Sequence, residues 1–322
     1  MNKIKWGIIG LGKIAHLFAT DLELVNEAEL AAVASRDIGK AGEFASRYNC
    51  TKFYGSYEAL FTDEEIDIVY IATPHNSHAE LSIKAMQSGK HVLCEKPIAL
   101  SYEDAVRMTE ASKKYNKFFM EAFWTRFIPS IQEILSKVKN GEIGDIKHLN
   151  ADFAFYVNEM EGSRMTDKKL GGGALFDIGV YPLFLSYLML GVPTEIMAKS
   201  IYHESGVDLQ TSMMLQYQSA QAILHASFVS DSDMKATISG SQGRIEINSP
   251  WFMADGYSII KNEKNEKFNI PNIGKGYAHE AIECHNCIRN NQIESKLWSH
   301  QNSLELSSMV ENVKIQIELE FD

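Results

Sequence analysis

Two separated groups of residues have types and spacings suited to proton transfer. One is Glu95-Lys96-Pro97, which closes the short apolar run His91-Val92-Leu93-Cys94. That run reads as a buried strand and the proline stops its continuation. The Lys96 ammonium is therefore expected at a strand's carboxyl end, the edge where open α/β sheets hold ligands. The other is Asp177-x-x-x-Tyr181, entered from the loop Gly171-Gly172-Gly173. Residues four apart share a helical face, although Pro182 sets this pair across a kink or a helix boundary. A carboxylate beside a phenol is either a buried hydroxyl bonded to an acid or, with a cation at hand, a proton-transfer site. An unperturbed tyrosine titrates near ~10, and a cation within ~4 to 6 Å lowers such a value by roughly 1 to 3 units. The chemical reading thus requires Lys96 and Tyr181 to meet.

A third group supplies a partner for that chemistry. Gly10-Leu11-Gly12-Lys13-Ile14-Ala15 fits G-x-G-x-x-G/A between an expected strand and an expected helix. Gly10 allows the tight turn, Gly12 lets a pyrophosphate approach the backbone, and Ala15 lets helix and sheet pack closely. The helix N-terminus then presents unpaired N–H groups to the phosphates. At the end of the next strand, where Asp or Glu would hold an NAD ribose, the chain has Ser35-Arg36-Asp37. Arg36 can clamp a 2′-phosphate with parallel charge-assisted bonds, and Lys40 one turn on adds charge. NADP is thereby expected over NAD, the alternative being a surface arginine and an acid that caps a helix. Thr73-Pro74-His75-Asn76-Ser77-His78 ends another strand with a polar cluster, read as cofactor contacts and an N-cap.

Other motifs are set aside. Cys284-His285-x-Cys287 suggests zinc, but a tetrahedral site needs four converging ligands, and Ala281, Ile282, Cys284 and Ile288 read as a core stripe. No metal is expected. Asn49-Cys50-Thr51 is a glycosylation sequon without a secretory context. The four cysteines do not suggest a disulfide framework, the opening apolar run is too short for a signal core, and no stretch approaches a membrane span. A cytoplasmic protein is expected. With 31 basic against 42 acidic residues, the net charge of −11 disfavours attraction to nucleic acid or an anionic membrane.

The elements that must position these residues follow from periodicity. Over the first ~120 residues short β-rich runs alternate with amphipathic stretches, which implies right-handed βαβ units and a doubly wound parallel sheet. Beyond Phe127 the pattern changes: Thr211-Met213-Leu215-Tyr217 and Ala222-Leu224-Ala226-Phe228 alternate as half-buried strands, with His225 and Ser227 turned outward. The expected organisation is a Rossmann dinucleotide-binding domain over 1–122 and an α+β domain with a predominantly antiparallel, open-faced sheet over 123–322. Trp124, Phe153 or Phe155, and Trp251 are candidate aromatic walls, with core packing the default for each.

Together the glycine loop, Glu95-Lys96-Pro97 and Asp177-x-x-x-Tyr181 resemble the glucose-fructose oxidoreductase, inositol dehydrogenase and rhizopine-catabolism (Gfo/Idh/MocA) family, nearly end to end. Met120-Glu121-Ala122-Phe123-Trp124-Thr125-Arg126-Phe127 and the Gly171 to Tyr181 segment resemble its branch of dimeric dihydrodiol dehydrogenase and NADP-dependent xylose dehydrogenase. The resemblance implies hydride exchange between a nicotinamide cofactor and a secondary alcohol of an aldose, polyol or cyclic diol. It implies that Lys96 and Tyr181 are catalytic with Asp177 in support, that Glu95, Trp124 and Arg126 lie by the cofactor or substrate, and that copies pair as a homodimer or homotetramer through the second sheet. Many sugar-directed relatives carry histidine where this chain has Tyr181, which favours the diol or aldose branch. A nucleotide-binding regulator without turnover is the alternative.

Overall fold

In the computed structural model, which describes residues 2–158, 160 and 162–321, the first alternating segment forms a parallel sheet. In chain order it contributes β1 (Ile4–Ile9), α1 (Lys13–Leu22), β2 (Ala28–Ala34), α2 (Ile38–Arg47), β3 (Lys52–Tyr54), α3 (Tyr57–Phe61), β4 (Ile68–Ile71), α4 (His78–Gln87), β5 (His91–Glu95), α5 (Tyr102–Tyr115) and β6 (Phe119–Ala122). The strands are buried along nearly their whole length because helices cover both faces. In α1 the buried Ala15, Phe18, Ala19 and Leu22 follow helical spacing. Strand order is β3-β2-β1-β4-β5-β6, so the direction of winding reverses between β1 and β4. That reversal opens the ligand-binding edge at the carboxyl ends of these two strands. β3 and α3, absent from the sequence reading, are too short to show a period.

The next stretch builds a second core from α6 (Pro129–Lys139), β7 (Ile146–Ala154), α7 (Val180–Leu190), β8 (Glu195–Tyr202), β9 (Asp208–Gln216), β10 (Gln221–Ser227), β11 (Ala236–Gly240), β12 (Arg244–Ile247), β13 (Gly256–Lys261) and β14 (Lys264–Asn269). Its eight strands run β14-β13-β12-β11-β7-β10-β9-β8. Every pairing is antiparallel except β7 with β10. The alternation sends Met213, Leu215, Ala222 and Leu224 inward. Ser227, expected to face outward with His225, is buried and donates to Gln210 Oε1 at 3.1 Å. One stretch, Lys168–Leu190, is in fact long and apolar enough to cross a membrane, contrary to the sequence expectation. Its apolarity reflects a core position, since 78% of the relevant window is buried inside the protein.

The chain closes with α8 (Tyr277–Arg289) and α9 (His300–Gln316). The compact units are not consecutive halves divided after residue 122. One comprises Met1–Phe127 with Ile273–Leu304, the other Ile128–Asn272 with Glu305–Asp322. An apolar stripe on α8 does not state which sheet it covers; polar pairs do. Buried Asp21 of α1 accepts from the backbone N–H of Lys275 at 2.8 Å and of Tyr277 at 2.9 Å, capping the start of α8. Trp6 of β1 donates its indole N–H to His285 Nε2 at 2.9 Å. Burial pulls the His285 pKa down to about 4, so this ring stays neutral and keeps its acceptor. The thiols Cys284 and Cys287 are buried in the same helix, and among the described residues no group of three or more His, Cys, Asp or Glu converges as metal ligands.

Asp21→Ala would remove the acceptor of the Lys275 N–H and leave the buried Tyr277 N–H unpaired, a loss of about 1 to 3 kcal/mol. The variant should melt at lower temperature, with hydrogen exchange accelerated first in the stretch opening α8. Unchanged protection there would show that the cap does not hold the segment.

Candidate active site

On the first unit the sequence-expected cofactor residues gather at the carboxyl ends of β1, β2, β4, β5 and β6. Gly10 has φ +80°, and a Cβ there would overlap the Ala72–Thr73 backbone, so only glycine fits this turn. A Cβ on Gly12 would meet nothing within 4 Å. Beside Gly12 there is accordingly open space, next to the first turn of α1 with Lys13 and Ile14. This start has no side-chain cap and no acidic residue in its first turn. The start of α2 differs, because Asp37 Oδ1 accepts from Gly39 N–H at 2.9 Å and Lys40 N–H at 3.2 Å. Asp37 is thereby engaged as a helix cap, with its own N–H donated to Ser35 Oγ at 3.1 Å. Arg36 and Lys40 are exposed beside it. An uncapped helix start over a glycine loop, with an arginine in place of a free acid, fits a dinucleotide carrying a 2′-phosphate.

The loop after β4 is more inward than its polarity suggested. Thr73 and His75 are buried, Pro74 is half-buried and Asn76 is exposed. Ser77 Oγ donates to Thr73 Oγ1 at 2.8 Å rather than capping α4, which has no side-chain cap. His78, expected among the cofactor contacts, is fully buried. Its Nδ1 lies 2.9 Å from Pro97 O and its Nε2 3.0 Å from Thr73 O, so the ring bridges two loops. Burial pulls its pKa down to about 4, leaving one ring proton for two carbonyls. Glu95 is buried, accepts from Tyr70 Oη, and takes the Lys96 N–H on Oε2 at 3.2 Å. Lys96 itself is half-buried. Trp124 is buried and stacked on Tyr277 with ring centroids 4.7 Å apart. Arg126 is buried too, donating Nε–H to Leu297 O at 2.8 Å, and burial lowers its pKa to about 10.

On the second unit Asp177 and Tyr181 straddle the boundary expected from Pro182. Asp177 lies in a π-helical turn, Leu175–Gly179, and Tyr181 in the first turn of α7. Wide turns of this kind recur at functional sites. Two residues that sequence reasoning missed fix this element. Arg164 Nη2 donates to Asp177 Oδ1 at 2.8 Å. Buried Asp208 accepts from the Leu175 N–H at 2.8 Å and from Thr211 Oγ1 at 2.6 Å, anchoring the helix start. Burial pushes the Asp208 pKa up to about 6. Gly173, with φ +112°, leaves the room that Asp208 Oδ1 occupies. No sequence signal joins Arg164 or Asp208 to this element, since one lies in the short turn Arg164–Thr166 and the other opens β9.

Tyr181 is buried, its ring walled by Phe153 at 5.4 Å and by Phe252 at 5.6 Å between centroids. Phe153 and Phe252 stack on each other at 4.1 Å. Phe153 was among the candidate walls and Phe252 was not. Phe155 packs at 6.0 Å from Phe153, whereas Trp251 is wholly buried and donates to Asp152 O at 2.8 Å, a core role.

Residues 4–123 match the family described as "Oxidoreductase family, NAD-binding Rossmann fold". Residues 131–246 match the "GFO/IDH/MocA C-terminal domain". The chain belongs to the GFO/IDH/MocA oxidoreductase family. It is 36% identical over 326 residues to a trans-1,2-dihydrobenzene-1,2-diol dehydrogenase of Xenopus tropicalis, with 97% of this chain and 98% of that one covered. The human protein of the same name is 31% identical, with 99% and 98% covered. Among solved structures, a 3-ketoreductase from Actinomadura kijaniata in complex with NADP and TDP-benzene superposes with TM-score 0.89 at 26% identity, with 98% of each chain covered. An aldose-aldose oxidoreductase from Caulobacter crescentus shares the fold at TM-score 0.90, 22% identity and 98% coverage of each chain. The GFO/IDH/MocA fold accounts for both sheets and for the glycine loop at the β1–α1 turn.

The raised Asp208 pKa fixes a sign. Between its unfolded value near ~3.9 and about 6 the folded state holds the proton more tightly, so rising pH removes stability. Asp208→Asn cannot titrate, and its unfolding free energy should gain on the wild type by about 2 kcal/mol between pH 4.5 and 7.5. Parallel urea titrations would show a constant gap if Asp208 did not change charge across that range.

Proposed function

We propose that this chain is an NADP-dependent dehydrogenase or reductase acting on a secondary alcohol of a cyclic diol or aldose. The observation that carries the reading is the β1–α1 turn, open beside Gly12 and uncapped at α1, together with an Arg36 whose neighbouring acid is engaged elsewhere. The relatives named for a dihydrodiol, and the 3-ketoreductase solved with NADP, support cofactor and substrate class. When bound, NADP supplies the hydride acceptor or donor at its nicotinamide ring. Gly10, Leu11, Gly12, Lys13 and Ile14 hold the pyrophosphate in this proposal, Ser35, Arg36 and Lys40 the 2′-phosphate, and Thr73 to Asn76 the ribose on the nicotinamide side.

Tyr181 takes the hydroxyl proton during oxidation and returns it during reduction. Lys96 supplies a positive charge that polarises the substrate oxygen. Asp177, tied by Arg164, is held as a fixed carboxylate rather than a swinging one. The stacked Phe153 and Phe252 beside Tyr181 favour a flat or ring-shaped substrate. Copies pair, in this proposal, through the outer face of the second sheet, where exposed Met197 of β8 and Ile223 of β10 flank Met214 of β9 in register. The four buried free thiols are in keeping with a reducing, cytoplasmic setting.

The experiment is to mix the protein with NADP and a panel of cyclic diols and aldoses while following nicotinamide absorbance. Turnover is the expected result; NADP binding with none across the panel would favour a regulator. Tyr181→Phe should lower kcat about 10² to 10⁴-fold while NADP affinity stays within a few fold. Unchanged turnover would take Tyr181 out of the chemistry. Arg36→Ala should weaken NADP far more than NAD, and equal losses would refute the phosphate clamp.

A further inference from the structure

The turn that carries Lys96 lacks one backbone donor. Beyond Glu95 the strand has ended, and Pro97 has no N–H to offer a neighbour. Side chains from elsewhere in the first unit take over. Behind the lysine, the Ile98 N–H donates to Glu121 Oε1 of β6 at 2.8 Å. Between them, Pro97 O faces His78 Nδ1 of α4 at 2.9 Å.

Both clamping side chains are polar groups in places where core packing would ask for apolar ones. His78 is fully buried and Glu121 is 2% exposed. Burying such groups costs several kcal/mol unless their hydrogen bonds are made; both Glu121 oxygens accept, and the single ring proton of His78 has a carbonyl to go to on either side. Glu121 Oε2 accepts from Ser303 Oγ at 2.7 Å and from the Trp298 indole at 3.2 Å, which ties it to the returning segment of the same unit. His78 reaches on to Thr73 O at 3.0 Å, in the loop expected to touch the cofactor. Burial pushes the Glu121 pKa up to about 7 and pulls that of His78 down to about 4, the direction set by low-dielectric surroundings in each case.

We propose that His78 and Glu121 are positioning residues for Lys96, holding the backbone on its carboxyl side by an Nδ1–H donated to Pro97 O and a carboxylate oxygen accepting from Ile98 N–H. Both are buried, and the turn that carries Lys96 is the part of the site they share. The inference rests on the reading of Lys96 given under Proposed function. A shift of the ammonium by about 1 Å is enough to lose roughly 10²-fold in rate.

The test compares variants that keep or delete one bond. In His78→Asn the side-chain amide stands where Nδ1 was, and in His78→Gln it stands nearer Nε2; Glu121→Gln keeps the acceptor and Glu121→Leu removes it. Two readouts are taken on the whole chain: kcat with NADP, and the rate at which a trace acylating reagent labels Lys96 in the cofactor-free protein, with exposed Lys235 as internal standard. His78→Gln and Glu121→Leu should lose about 10² in kcat and change Lys96 labelling at least threefold. His78→Asn and Glu121→Gln should restore most of both. If Glu121→Leu does not fold, the two His78 variants decide alone. Equal labelling of Lys96 in His78→Gln, His78→Asn and the wild type would overturn the clamp, whatever the kinetics. Full turnover by Lys96→Met would instead overturn the catalytic reading, while the labelling still decides the positioning.

Discussion

A proline immediately after a lysine removes a backbone donor at the place where a strand ends, and much of the first unit is arranged around that gap. The missing N–H removes one ladder donor at Pro97, and α4 and β6 each send a buried polar side chain to this turn. Those side chains need partners of their own, which come from the β4 loop and from the segment that returns after the second unit. One absent hydrogen thus links four stretches of chain remote in sequence. The second unit solves a matching problem similarly, since the start of its π-helical turn is held by the carboxylate of Asp208 rather than by a local cap.

What the sequence made legible divides along physical lines. Long periodic elements announce themselves: α1 shows its stripe at Ala15, Phe18, Ala19 and Leu22, and β10 alternates cleanly from Gln221 to Leu224. The glycine loop was readable because only glycine takes positive φ at Gly10 against the Ala72 backbone. The displaced acid was readable too, as one that caps a helix, and Asp37 does cap α2. Elements such as β3, three residues long, carry no period to find.

The unreadable parts of the site are side-chain contacts between separate elements. Arg164 meets Asp177 from a loop whose composition is merely polar. Phe252 follows a tryptophan, Trp251, that drew attention as a wall; the tryptophan is core, and its neighbour reaches Tyr181. His78 looked like a ligand because it stands in a polar run, yet burial made it a bridge between backbones. In each case the deciding quantity is exposure, which a residue's type and spacing do not set.

The return of the chain to its first sheet has a consequence for how the protein is made. β6 is complete at Ala122, but the helix whose His285 accepts from Trp6 begins at Tyr277. During synthesis from the N-terminus, the indole and the adjoining Phe18 ring therefore emerge long before their cover, with an entire second sheet translated in between. A nascent chain of this design carries an uncovered aromatic face until α8 has been made.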